Sequence, residues 1–146
     1  MLRITRNIRK TFLGLTLLIV GSAVSGQDLN SALNKTYQEQ FEAADQAFNE
    51  LIKQDPTNGK NYYYSGENQL ASYFIDPVNI PFESIAKNAI ERYNQGIAAN
   101  PGEPLNYVGL GKVALIQNDI AMAGTHFAKA KIFLPAKKIK STLTKH

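Results

Sequence analysis

The chain of 146 residues contains no cysteine and no tryptophan, and it has only two histidines and two methionines. Without cysteine no disulfide bond can form, so packing alone must hold the fold together. His126 and His146 are not spaced to share a metal ion, and no other imidazole is present. Glu39, Glu42 and Asp45 recur on one helical face, which indicates solvated charges and not an acid–base pair. No nucleophile lies near a suitable base, so we expect no catalytic activity, no metal site and no cofactor.

An excess of charge is also lacking from most of the chain, although the full sequence carries a net charge of +4. Four basic residues lie among the first ten, and the part after Gly26 holds 12 basic and 12 acidic residues. That part is formally neutral, so binding to nucleic acid is not expected. Residues 129–146 hold six lysines and no acid, which fits either an anionic membrane contact or a solvated helix end. We favour the helix end.

Residues 1–26 have the layout of a secretory signal peptide. A basic start precedes an apolar run, "FLGLTLLIV", and then the small residues "GSAVSG". The apolar run is shorter than the roughly 20 residues of a membrane span. We predict cleavage after Gly26, with cuts after Ala23 or Ser25 and an uncleaved anchor as alternatives. The mature protein is then expected in the periplasm of a Gram-negative envelope or outside the cell, without an integral membrane span.

Three segments share one spacing: an alanine, an aromatic residue four positions later, and a proline eight positions after the aromatic. The first two copies are 45 residues apart and the last two are 34 apart. "NYYYSG" at 61–66 and "NYVGLG" at 106–111 also repeat at an offset of 45. The copies are Ala44, Phe48 and Pro56, then Ala89, Tyr93 and Pro101, and finally Ala123, Phe127 and Pro135.

This pattern resembles the tetratricopeptide repeat, a pair of antiparallel helices with a period of about 34 residues. The resemblance implies an all-α fold in which about three helix pairs stack as a short right-handed solenoid over 27–137. The repeats would cover about 27–58, 59–103 with an 11-residue insertion, and 104–137. Residues 138–146 would be a basic tail or the start of a missing repeat.

Repeat packing explains the recurring small and bulky residues. Glycine and alanine allow two helices to approach closely, and an aromatic ring fills the space beside that contact. The proline closes the second helix of each pair. The residues assigned to this packing are Ala44, Phe48, Tyr62, Gly66, Ala89, Tyr93, Tyr107, Gly111, Ala123 and Phe127.

The sequence predicts helices near 28–38, 41–54, 60–74, 82–99, 104–117 and 119–134, with a short seventh helix at 136–144. The extra residues of the middle repeat fall around 72–83, where Pro77 and Pro81 prevent one continuous helix. We expect a longer corner that tucks its aromatic residues against the stack. A protruding contact patch is the alternative.

Stacked repeats form an extended concave surface, which the first helix of each repeat lines in this family. Some members hold a peptide's terminal carboxylate there with Lys, Arg and Asn. This chain has Leu29, Leu33, Tyr64, Leu105 and Gly109 at those places, so that mode is not expected. The residues implied to bind a partner are Lys60, Tyr63, Glu67, Leu70, Leu105, Val108, Lys112 and Leu115. Packing against a neighbouring helix is the alternative for Leu105, Val108 and Leu115.

These features predict a non-catalytic scaffold or adaptor of the bacterial envelope that binds a peptide or a partner helix. One alternative is an accessory subunit, or an N-terminal fragment of a larger envelope protein or enzyme whose active part lies elsewhere. Another is a structural protein whose basic tail contacts the membrane. Little sequence follows Pro135 to form an end cap. If the array is incomplete, the isolated chain is expected to self-associate or to unfold over a broad transition.

Overall fold

A computed structural model of the chain describes residues 28–134, and all regular structure in that range is α-helical. The predicted all-α class is confirmed, and the six predicted helices agree with the structure within one residue at each end. The seventh helix predicted at 136–144, the signal segment, Pro135 and the basic tail lie outside the described residues. The helices are α1 (Leu29–Tyr37), α2 (Phe41–Gln54), α3 (Gly59–Ile75), α4 (Phe82–Ala99), α5 (Pro104–Ile116) and α6 (Ile120–Phe133).

Side-chain caps fix where four of these helices begin. The carboxylate of Asp28 accepts a hydrogen bond from the backbone N–H of Ser31 and starts α1. Asn58, Glu103 and Asp119 do the same for α3, α5 and α6. These caps satisfy backbone donors that the first turn of a helix leaves unpaired. No helix in the range 28–134 is both long enough and apolar enough to cross a membrane.

The helices pack as three pairs, α1 with α2, α3 with α4, and α5 with α6. Each later first helix also packs against both helices of the preceding pair, so that α3 contacts α1 and α2, and α5 contacts α3 and α4. Within the described range the second helices are not close neighbours, although α2 and α4 are linked by Arg92, which donates to Asn49 at 2.7 Å. The first helices therefore form a continuous inner row, and the packing is consistent with stacked helical repeats.

The corners inside the first and third pairs have the same backbone structure. Glu39 and Asn118 both adopt the left-handed conformation, with φ of 60° and 61°. Gln40 donates its N–H to the carbonyl oxygen of Lys35 at 2.9 Å, and Asp119 donates to that of Ala114 at 2.8 Å. Glu39 and Asn118 are 79 residues apart, which is the sum of the repeat offsets of 45 and 34 residues. They therefore hold equivalent positions in the first and third pairs.

The turns between pairs also repeat. Tyr62 donates its hydroxyl to the carbonyl oxygen of Pro56 at 3.0 Å, and Tyr107 donates to that of Pro101 at 3.3 Å. These prolines follow α2 and α4, so each tyrosine ties the start of a first helix to the end of the preceding second helix. The repeat offset of the sequence motif therefore corresponds to a repeated local structure.

The extra residues of the middle pair lie mostly in helices, and not in a long loop. α3 has 17 residues against 13 in α5, and α4 has 18 against 14 in α6. The corner between α3 and α4 spans 76–81, whereas the shorter corner between α5 and α6 spans 117–119. The middle hairpin thus projects about one helical turn beyond the third.

Two apolar clusters form the core. The first is centred on Phe48 of α2, and the second on Tyr93 of α4, with both side chains fully buried. Three alanines predicted at close helix contacts, Ala44, Ala89 and Ala123, are at most 1% exposed. Burial of aromatic rings against these small residues supplies much of the apolar area removed from water.

Candidate functional site

The residues implied to bind a partner lie at equivalent positions of α3 and α5. The two members of each pair are separated by the repeat offset, so each residue of α3 has a counterpart on the neighbouring α5. Lys60 is exposed, while Tyr63, Leu105 and Val108 are partly exposed. These four side chains are accessible, as are the exposed Leu115 and the partly exposed Glu67 and Lys112. The pairs are Lys60 with Leu105, Tyr63 with Val108, Glu67 with Lys112, and Leu70 with Leu115.

Glu67 and Lys112 bind each other across the two helices. The Nζ atom of Lys112 donates to Oε2 of Glu67. The hydroxyl of Tyr93, from α4, donates to Oε1 of the same carboxylate at 2.8 Å. Both oxygens of Glu67 therefore have partners within the fold. The network joins α3, α4 and α5 and fixes the relative position of the two first helices.

Tyr63 lies beside this network, and its partly buried ring packs against the core cluster that contains Tyr93. Its ring centroid is 5.0 Å from that of Tyr64, in an edge-to-face arrangement, and 6.0 Å from that of Tyr93. Burial, with smaller contributions from Glu67 and Tyr64, raises the pKa of Tyr63 to about 12. Burial and then the negative charge and hydrogen bond of Glu67 also raise the pKa of Tyr93. Both phenols are held in the neutral form.

Leu70 does not lie on the surface, contrary to the prediction. It is 2% exposed and belongs to the core cluster that contains Ala86, with Phe82 and Ile85 packed against it. These three residues lie in the first turns of the lengthened α4. Leu115 occupies the equivalent position of the third pair and is 45% exposed, since α6 begins only at Ile120. The insertion therefore buries one of two equivalent leucines.

The packing glycines accommodate aromatic rings from the second helices. A methyl group placed on Gly66 would collide with the ring of Tyr93, and one on Gly111 would collide with the ring of Phe127. Tyr62 and Tyr107, which the sequence assigns to the same packing, instead reach back to the proline carbonyls. Gly109 is absent from the predicted packing residues, although it also lies against the Tyr93 ring.

At the projecting tip of the middle hairpin, some apolar side chains pack against the core and others are exposed to solvent. Tyr73 packs on Phe82, with ring centroids 5.0 Å apart, which agrees with the expected tucked corner. Phe74, Ile75 and Val78 are exposed, and Val78 is 90% accessible. The inner half of the tip thus extends the core, whereas the outer half presents apolar side chains to solvent.

An open groove of about 880 Å³ runs between α2 and the far end of α3. Glu39, Glu42 and Asp45, which the sequence places on a solvated helix face, lie along it. Asp45 accepts a hydrogen bond from Gln69 at 3.1 Å and lies 3.8 Å from Arg92. Most residues along the groove are polar, and its carboxylates are spread along the opening.

His126 is partly buried on α6, and its Nδ1 is shielded from solvent without a hydrogen-bond partner. Burial, and to a smaller extent the charge of Lys129, lowers the pKa of His126. Among residues 28–134, no group of histidine, aspartate and glutamate side chains is arranged to hold a metal ion.

No model of a known protein family matches the chain, and no curated protein matches it significantly. The repeat geometry and the surface of α3 and α5 are therefore the basis for a proposed function.

Proposed function

We propose that the protein is an exported, non-catalytic scaffold of the bacterial envelope, built as a short right-handed solenoid of tetratricopeptide type. The repeated corners and turns support this fold, because equivalent backbone hydrogen bonds recur at the offsets found in the sequence. The row of first helices supports a concave surface, since α1, α3 and α5 are successive neighbours, while α2 and α4 are linked through the side chain of Arg92 and not by close packing.

The observation that carries the binding proposal is the accessible part of the α3–α5 surface. Lys60, Tyr63, Leu105 and Val108 present one charge, one phenol and two aliphatic side chains beside a rigid ion pair. Such a surface suits an extended peptide or a helix with apolar anchors and few charges. Glu67 and Lys112 act as positioning residues, because their charged groups already bind within the fold.

Site-specific photocrosslinking tests this function. A photoreactive amino acid replaces Leu105 in the protein expressed in its native cells, and Asn94, which is exposed on α4, carries the same group as a control. We expect a discrete protein adduct from position 105 and none from position 94. The adduct should disappear when Lys60→Glu and Val108→Glu are added, while the circular dichroism spectrum of the purified variant stays unchanged.

Equal adducts from both positions would overturn the assignment of the surface. A folded protein that gives no adduct at position 105, but does so from Val78, would move the binding site to the tip of the middle hairpin. Export is tested separately, by determining the N-terminal sequence of the protein recovered from the envelope. We expect it to begin at Gln27, and a start at Met1 would exclude cleavage.

A further inference from the structure

The aromatic residue of each second helix packs against first helices. The ring of Tyr93 lies against Gly66 of its own pair and against Gly109 of the next pair. Phe127 is its counterpart in α6, and its ring lies against Gly111. Phe48 and Tyr93 are completely buried, but Phe127 is 36% exposed. Within the described helices, the ring of Phe127 therefore lacks the cover that a following helix gives to the other two.

The whole α5–α6 end of the array shares this exposure. By contrast, on the α1–α2 pair at the opposite end, Tyr37 is the single large apolar side chain that is exposed. An apolar end face is costly in water, and repeat arrays need a terminal element with a polar outer side. The exposed large apolar residues of α5 and α6 are Leu115, Ile116, Ile120, Met122, Phe127, Ile132 and Phe133, and the exposed Leu134 follows directly.

The register of the array shows which residues of the chain reach this face. The residue that covers the aromatic ring lies 16 positions after it, as Gly109 does for Tyr93. Tyr64 lies 16 positions after Phe48 and packs against the cluster that contains it. Sixteen positions after Phe127 is Leu143.

The start of the covering segment follows from the same register. The first helices α3 and α5 begin at Gly59 and Pro104, three positions after Pro56 and Pro101. The same spacing after Pro135 gives position 138. A first helix in this register would therefore begin at 138 and include Leu143.

The composition of residues 138–146 fits such a helix. On a helix of about 3.6 residues per turn, Ile139 and Leu143 lie on one side. Lys138 and Lys145 fall on the other side, where they would face solvent, and Lys140 falls at the edge of the stripe. This segment therefore combines a narrow apolar stripe with the polar outer side that an end cap requires.

We propose that residues 138–146 pack on the α5–α6 face as the cap of the array, with Leu143 covering Phe127. The segment occupies the place that α3 and α5 take in the earlier junctions. This proposal rests on the repeated packing and is independent of partner binding at the α3–α5 surface.

A double-mutant cycle tests the contact in the protein purified after expression of the complete gene. We expect Leu143→Ala to lower the folding equilibrium constant by roughly tenfold, measured by urea unfolding. In a Phe127→Ala background the same change should have little further effect, because the two residues share one contact. Thr142→Ala is the matched control and should leave the constant within about twofold in either background.

Additive effects of the two substitutions would overturn the proposal. If Phe127→Ala prevents folding, Phe127→Leu gives the same cycle with a milder loss. Sedimentation over a hundredfold concentration range decides whether the cover comes from the same chain. A monomer with the coupling intact supports the cap. Coupling that appears only in a dimer would assign the face to a second copy and overturn it.

Discussion

Gly66 shows how the absence of a side chain sets the distance between two helices. Its α-carbon lies against the ring of Tyr93, whose hydroxyl then reaches Glu67, the next residue of α3. A small residue, a buried ring and a satisfied hydroxyl therefore form one unit. The core contact and the ion pair with Lys112 depend on each other, since both are positioned by the same tyrosine.

We expect Gly66→Ala to destabilise the protein by about 1–3 kcal/mol, since the added methyl group forces the Tyr93 ring out of place. Gly124→Ala is the matched control. A methyl group at Gly124 meets no atom within 4 Å, so the better helix propensity of alanine should stabilise by about 0.5–1 kcal/mol. Urea unfolding measures both. Equal shifts of the two midpoints would contradict the packing described.

Alkaline pH should weaken the fold through Tyr63. The pKa of Tyr63 is raised to about 12, whereas that of tyrosine in an unfolded chain is about 10. Its contribution to stability is therefore complete below pH 10 and is lost as the pH rises towards 12. Urea midpoints measured from pH 9 to 12 should fall less steeply in Tyr63→Phe. Tyr37→Phe, at a ring that is 79% exposed, should follow the wild-type curve.

Part of the site was predictable from the sequence and part was not. The repeat offset places Glu67 and Lys112 at equivalent positions, and opposite charges at equivalent positions of adjacent repeats indicate a salt bridge. That signal is present in the sequence, although the resemblance alone assigns both charges to a partner. The burial of Leu70 was not readable, because it depends on the packing of Phe82 and Ile85 against its cluster, which is a tertiary contact.

At the scale of the helix, the corners and caps define where each element ends. The caps at Asp28, Asn58, Glu103 and Asp119 are local, which is why the helix bounds could be predicted closely.

Whether the inserted residues lie in helices or in the corner could not be predicted in the same way, since Pro77 and Pro81 mark only where helices cannot continue. Most of the inserted residues lengthen α3 and α4 instead of the corner between them. This outcome depends on the packing of Phe82 and Ile85 against the core, which is a tertiary contact.

The corner between α1 and α2 contains a strained residue whose relief is testable. Glu39 has a φ of 60°, a conformation that costs about 1 kcal/mol for a residue with a side chain. We expect Glu39→Gly to stabilise the protein by about 0.5–1 kcal/mol. Glu42→Gly, inside the first turn of α2, should instead destabilise by about 1 kcal/mol. Thermal unfolding that moves in the same direction for both variants would contradict this account of the corner.

At the scale of the whole molecule, the described helices are unequally supported. α3 contacts α1, α2, α4 and α5, and it carries residues of both the ion pair and the aromatic cluster. α1 has nine residues and contacts only α2 and α3 among the described helices. α3 is therefore supported on more sides than α1, and we expect it to be the more stable of the two helices.

Hydrogen exchange should reveal this difference in stability between α1 and α3. We expect the amides of α1 to exchange through local opening at a lower free energy than those of α3, because α1 buries few side chains. Native-state exchange at increasing denaturant concentration measures both helices in one sample. Uniform opening energies across α1 and α3 would show that the array unfolds as a single unit.

The lengthened hairpin has a consequence for how this chain tolerates insertions. The added residues of α3 and α4, 72–75 and 82–85, lie at the tip end of each helix when the pair is aligned with α5 and α6 by the repeat offsets. The residues below the tip therefore keep the register of the third pair, and an insertion of another length at the same place would leave that register unchanged. Length can therefore vary at this corner, which lets the tip change its reach and composition while the stack beneath it stays in phase.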